Sequence, residues 1–181
     1  MKIVRESLNK FTRGQDPKAA MSVGNRAEII KWFNDLDINP NRYEIDNGLN
    51  IMFNGSLHLS HITKLPDNLT VNGYLDLSNT NITELPDNLT VNGYLDLSYT
   101  KITKLLDNLN VNGYLDLTHT SKIIKLPNNL NIKGSLDLSN TKITKLPKNL
   151  KVGGNLFLYS AKITELPEDL VVKGEIIGFK N

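Results

Sequence analysis

The chain has 181 residues, 21 lysines and arginines against 19 acidic residues, a formal net charge of +2 and no cysteine. Disulfides, thiolate metal sites and a cysteine nucleophile are therefore excluded, and the near-balance of charge gives no default case for nucleic acid as a partner. No stretch approaches the roughly 18 consecutive apolar residues of a spanning helix, and the charged start, MKIVRESLNKFTRGQDPK, lacks an apolar signal core. The expectation is a soluble intracellular (cytoplasmic) protein with no membrane partner.

Residues 1–20 form a leader. Lys2 to Phe11 has room for one or two helical turns, and Arg13-Gly14-Gln15-Asp16-Pro17 breaks them. The expected state is a flexible or loosely docked tail. Residues 21–53 read as a cap. Asn25 opens NRAEIIKWFNDLDI, in which Ile29, Ile30, Trp32, Phe33 and Leu36 recur at helical spacing, so an amphipathic helix should cover the first repeat. Trp32, the single tryptophan, reads as part of that apolar stripe rather than as a binding anchor. Tyr43 to Phe53, around Asp46-Asn47-Gly48, reads as a hairpin.

Residues 54–181 are repetitive. LPDNLTVNGYLDLSNTNITE at 65–84 is followed directly by LPDNLTVNGYLDLSYTKITK at 85–104. The recurring glycine falls at Gly55, Gly73, Gly93, Gly113, Gly134, Gly154 and Gly174, with spacings of 18, 20, 20, 21, 20 and 20. A unit this small cannot close its own core and must stack on its copies, which makes the chain a β-rich solenoid with a small α-helical N-terminal cap. Leu75 and Leu77, two apart, point inward and Asp76 points out. Segment 74–78 is thus a short strand, and 94–98, 114–118, 135–139 and 155–159 lie beside it as a parallel sheet on one face. Asn72-Gly73 reads as a corner that uses positive φ, and Leu85-Pro86 as a bend.

Leu75-x-Leu77-x-x-Thr80-x-Ile82 resembles the leucine-rich repeat core LxLxxNxL, with threonine at the asparagine position. The form LPxxLxVxGxLxLxxTxI is similar to repeat proteins of bacteriophage and bacteria, and more distantly to the short leucine-rich repeats of bacterial effectors. RESLNKFTRGQDPKAAMSVG resembles a leader on some phage-encoded repeat proteins. The repeat resemblance covers roughly residues 51–177 and departs from the family at Asn72, where leucine is usual. Thr80, Thr100, Thr120 and Thr141 replace the asparagine ladder and Ala161 interrupts it, so little helix is expected on the convex side. In leucine-rich repeat proteins the strand face is the concave, ligand-contacting surface.

The outward strand positions form columns: Tyr74, Tyr94 and Tyr114, continued by Ser135 and Asn155; Asp76, Asp96, Asp116 and Asp137, with His58 before and Phe157 after; and Ser78, Ser98, Thr118, Ser139 and Tyr159. Neighbouring carboxylates about 4.8 Å apart repel by only about 0.9 kcal/mol in water, so the aspartate column requires no bound cation. One carboxylate per coil also falls short of the roughly 6–8 oxygens of a calcium site. No metal or cofactor is expected. Tyrosines beside carboxylates suit a protein partner, basic in character.

Charge shifts along the axis: residues 51–120 hold 3 lysines and 7 acidic residues, residues 121–181 hold 10 and 5. EIIGFKN at 175–181 offers no polar cap, which leaves a C-terminal edge open to self-association. There is no GxxxxGK[ST], GxGxxG, HExxH or GxSxG, and no pair of histidines to act as base and orienter. The expected function is a non-enzymatic protein-protein interaction module whose partner contacts Tyr74, Asp76, Tyr94, Asp96, Tyr114, Asp116, Asp137, Phe157 and Tyr159. The alternative is a structural or accessory subunit of a phage particle or similar assembly, docked through the leader.

Overall fold

The computed structural model describes residues 25–179; the leader over 1–20 lies outside them. Helix α1 (Arg26–Asp35) begins where Asn25 turns its side-chain oxygen onto the backbone N–H groups of Ala27 and Glu28, at 3.0 and 3.1 Å. That bond satisfies donors a helix start otherwise leaves open. Its inner face buries Ile29 and Phe33 completely, while Ile30 is exposed and Trp32 half-buried. A short 3-10 turn, Pro40–Arg42, leads into β1 (Tyr43–Ile45), which pairs antiparallel with β2 (Ile51–Phe53) as the expected hairpin. Asp46 organises its turn by accepting the N–H groups of Gly48 and Asn50 and the Asn50 side chain. Those bonds, that of the Asn50 side chain foremost, hold the Asp46 carboxyl below its ordinary value. Phe33 stacks on Tyr43 with ring centroids 3.9 Å apart and reaches Phe53 at 6.2 Å, so the cap closes the first coil with aromatic surface.

Strands β2 and β3 (Leu57–His58) open two sheets, and every later coil adds one strand to each. The successive pairs are β4 (Leu69–Val71) with β5 (Leu75–Asp76), β6 (Thr90–Val91) with β7 (Leu95–Asp96), and β8 (Asn110–Val111) with β9 (Leu115–Asp116). They continue with β10 (Asn131–Ile132) and β11 (Leu136–Asp137), β12 (Lys151–Val152) and β13 (Leu156–Phe157), and finally β14 (Val171–Val172) and β15 (Ile176–Ile177). Apart from β1, all pair in parallel, in sheets of eight and seven strands. The protein is a parallel β-solenoid with a helical cap.

The expected single strand face is therefore half of the sheet structure. Leu69 and Val71 are buried around the outward Thr70, the same two-residue alternation that makes a strand of Leu75 and its neighbours. The third side of each coil, such as residues 79–86, carries bends and turns without helix. The core is built from columns: Leu75, Leu77, Ile82, Leu85, Leu89 and Val91 are buried, and their counterparts recur coil after coil. Each contributes about 1.5–3 kcal/mol relative to exposure.

The regular spacing of the glycines has a different cause from the one their sequence context suggests. Gly73, Gly93, Gly113 and Gly134 do not adopt positive φ; among the described glycines only Gly55 and Gly178 do. A Cβ at Gly93 would sit 2.7 Å from the Gly73 carbonyl oxygen, and one at Gly113 would sit 2.4 Å from that of Gly93. Backbone stacks on backbone at this corner, and only hydrogen fits between. The left-handed turns fall elsewhere, at Asn68, Asn88, Asn129 and Asn149 and at Asn79, Tyr99, His119, Asn140 and Ser160.

At the far end Leu166, Leu170, Val172 and Phe179 are only partly buried, and Val171 and Ile176 are exposed. No described element covers this cross-section, and β14 and β15 are the outer strands of their sheets.

Candidate binding face on the seven-stranded sheet

The strand register aligns the outward columns as expected. Asp76 pairs with Asp96, Asp96 with Asp116, Asp116 with Asp137, and Asp137 with Phe157. What the carboxylates do there differs from a free acidic ladder. In the four coils that carry an aspartate, one carboxylate oxygen accepts the backbone N–H two residues on: Asp76 accepts from Ser78 at 2.9 Å, and Asp96, Asp116 and Asp137 accept from Ser98, Thr118 and Ser139 at 2.8 Å. The second oxygen of Asp96, Asp116 and Asp137 receives tyrosine, whereas that of Asp76 faces His58. Tyr94 donates its hydroxyl to Asp116 at 3.0 Å, with Asp96 at 3.3 Å, and Tyr114 donates to Asp137 at 2.9 Å. The carboxylates are half-buried and already engaged as turn caps and phenol acceptors.

The rings form a ridge along the axis. Tyr74 meets Tyr94 edge-on at 6.2 Å, Tyr94 lies 4.9 Å from Tyr114, and Tyr114 reaches Phe157 at 6.4 Å. Ser135, too short to hold a ring in the tyrosine column, leaves the space through which Tyr114 contacts Phe157. Tyr94 and Tyr114 are half-buried, and burial first, then the facing carboxylates, pushes both phenols well above their ordinary value. Tyr74, at the start of the ridge, is 55% exposed, and Tyr159, two residues beyond Phe157 in the chain, is 54% exposed.

No protein-family model, curated protein or solved structure matches this chain. The site therefore rests on its own geometry.

His58 lies 3.3 Å from Asp76 across one coil step, as its position in the column suggests. Burial raises the Asp76 carboxyl, but the bonds from Ser78 and the neighbouring His58 outweigh it and leave the group below its ordinary value. Among the described residues no cluster of three histidines, aspartates or glutamates could hold a metal ion. An open cleft of about 270 Å3 follows the Leu-Pro bends, where Lys64, Asp67, Glu84, Asp87 and Lys104 mix both signs around Leu106. Among the described residues no helix is long and apolar enough to cross a membrane.

Two features were not read from the columns. The threonines do not bridge coils: Thr80 and Thr100 are buried and each donates its hydroxyl within its own coil, to the carbonyls of Leu77 and Leu97 at 2.6 Å. Asparagines supply the ladder instead, with Asn72 bonded to Asn54, Asn92 to Asn72, and Asn112 to Asn92. His119, which looks isolated in the sequence, stacks on Tyr99 with ring centroids 4.4 Å apart and 9° between planes. The signal was available: both occupy the slot held by Asn79 and Asn140 in other coils.

Proposed function

We propose that this protein is a non-enzymatic protein-binding module whose partner lies along the seven-stranded sheet, over the ridge from Tyr74 to Tyr159. One observation carries the reading: the ridge is built before any partner arrives. The Tyr94 and Tyr114 hydroxyls are held by Asp116 and Asp137, so little side-chain freedom remains to be lost on binding. Tyrosine suits such a surface because it offers a large apolar area at a small entropic cost. The aspartates act mainly by positioning the rings, and Tyr74, Tyr159 and Phe157 supply the direct contact.

Because Asp96 caps the Ser98 N–H, changing it confounds binding with folding. The appropriate variant is Tyr74→Ala with Tyr159→Ala, at projecting residues outside the phenol–carboxylate bonds. Affinity capture from the source cell should retain a specific protein with the wild type and lose it with the double variant, while thermal unfolding is unchanged. Undiminished capture by the double variant would refute the strand-face reading.

A further inference from the structure

A second surface differs in chemistry from the tyrosine ridge. On the helix-free third side, Lys101, Lys122, Lys142 and Lys162 occupy one column, and all four are exposed. Their register is set from beneath, because the next residue in each coil, Ile102, Ile123, Ile143 and Ile163, is buried. The extra residue of the longer repeat, Ser121, is absorbed before Lys122, so the column continues across it. Three residues further along each coil, Lys104, Lys125 and Lys145 make a parallel column, also exposed and bounded by Glu84 before and Glu165 after. Among the described residues, Lys145 alone of these seven makes an ion pair, with Glu165 at 3.8 Å. The first column spans three coil steps of about 4.8 Å each, roughly 14 Å in all.

Aromatic rings stand beside this strip. Tyr99 and His119 precede the Lys101 and Lys122 turns, are both exposed, and stack on one another. They hold left-handed backbone conformations, φ 56° and 58°, in a slot filled by Asn79 and Asn140 in other coils; asparagine and histidine tolerate it, whereas Tyr99 incurs a steric cost there. Folding is better served by asparagine at the Tyr99 position. The small Asn79 and Asn140 on either side add no ring to the stack. Strained, exposed groups of this kind are found where a ligand is met.

We propose that this edge binds single-stranded nucleic acid, with the lysine columns on the phosphates and a base stacked against the Tyr99–His119 pair. A basic track with adjoining aromatic faces is the combination that such strands require. Polyphosphate or an acidic polysaccharide would use the lysines and ignore the rings. The modest overall charge is no obstacle, because these seven lysines share the third side of consecutive coils.

The test is fluorescence anisotropy on the full chain with labelled 15-nucleotide oligo-dT and oligo-U, a duplex of equal length, and inorganic polyphosphate as competitor. Single strands should bind more tightly than duplex. For about four phosphate contacts, log affinity should fall against log salt with a slope of about −3. Lys122→Glu with Lys142→Glu should weaken binding at least tenfold. Tyr99→Asn with His119→Asn, which restores the residue of the neighbouring coils and preserves the turn, should weaken single-strand binding about fivefold or more and leave polyphosphate competition unchanged. The proposal is overturned by no binding at low salt, by wild-type affinity in the lysine variant, or by an aromatic variant that binds single strands normally. That last result would assign the strip to polyanions in general. Circular dichroism of each variant shows whether the solenoid is intact, and the relative strength of the two oligonucleotide arms separates DNA from RNA.

Discussion

The Tyr94 hydroxyl donates to the Asp116 carboxylate of the following coil at 3.0 Å, and Tyr114 repeats the contact with Asp137 at 2.9 Å. Each bond ties one coil to the next through side chains and adds to the backbone ladder beneath. It also makes the face sensitive to alkali. Burial and the facing carboxylates raise both phenols above 10.0, the value expected of an unfolded tyrosine. The folded state therefore keeps protons that the unfolded chain gives up, and stability falls as pH rises above that value.

Denaturant unfolding between pH 8 and pH 11 tests this. Wild-type stability should be level at the lower end and decline above about pH 10. In Tyr94→Phe with Tyr114→Phe the decline should be shallower, with a loss of about 1 kcal/mol per hydroxyl at the lower end of the range. Parallel pH profiles for the two proteins would contradict the account.

Gly113→Ala places a methyl group 2.4 Å from the Gly93 carbonyl oxygen. The obstacle is backbone of the preceding coil, so relief requires the stack to open. A loss of about 1–3 kcal/mol is expected, toward the upper end. Chemical denaturation measures it, and a loss within error of zero would mean that the coils separate more easily than their contacts imply.

The threonine column predicts opposite effects at its middle and its end. Thr120 is fully buried and its hydroxyl donates to the Leu117 carbonyl, which also accepts the Thr120 N–H at 3.2 Å, so Thr120→Ala should cost about 0.5–1.5 kcal/mol by removing one of that carbonyl's two donors. Ala161 occupies the equivalent position and bonds the Leu158 carbonyl through its N–H alone, at 3.1 Å. Ala161→Thr should therefore stabilise by about 0.5 kcal/mol. Melting temperatures of the two variants should move in opposite directions.

The asparagine ladder ends at Asn112, whose side-chain oxygen is buried without a hydrogen-bond partner. The next coil places Lys133 where the preceding coils place asparagine. Lys133→Asn should extend the ladder by one rung and raise stability by about 1 kcal/mol. Equilibrium unfolding in urea reads this directly, and a destabilised variant would show that Lys133 is needed where it stands.

Much of the architecture is legible along the chain because the period-two leucines and the 20-residue repeat report local facts. Leu75 and Leu77 must face inward together, Asn25 must start a helix whose apolar side is Ile29 and Phe33, and Asp46-Asn47-Gly48 must turn a hairpin. Those conclusions depend on residues near one another in sequence. The second sheet was visible in the alternation of Leu69 and Val71, but its strands are two or three residues long and become a sheet only once seven copies align. Stacking alone decided the rest. Gly93 is glycine because of a carbonyl 20 residues earlier, Asp116 is a phenol acceptor because Tyr94 leans one coil forward, and Tyr99 and His119 are a pair because the left-handed turn they share aims both rings the same way across one coil step. Sequence determines which residues share a column. Only the distance between coils, and the direction in which each side chain leans across it, decides what they do to one another.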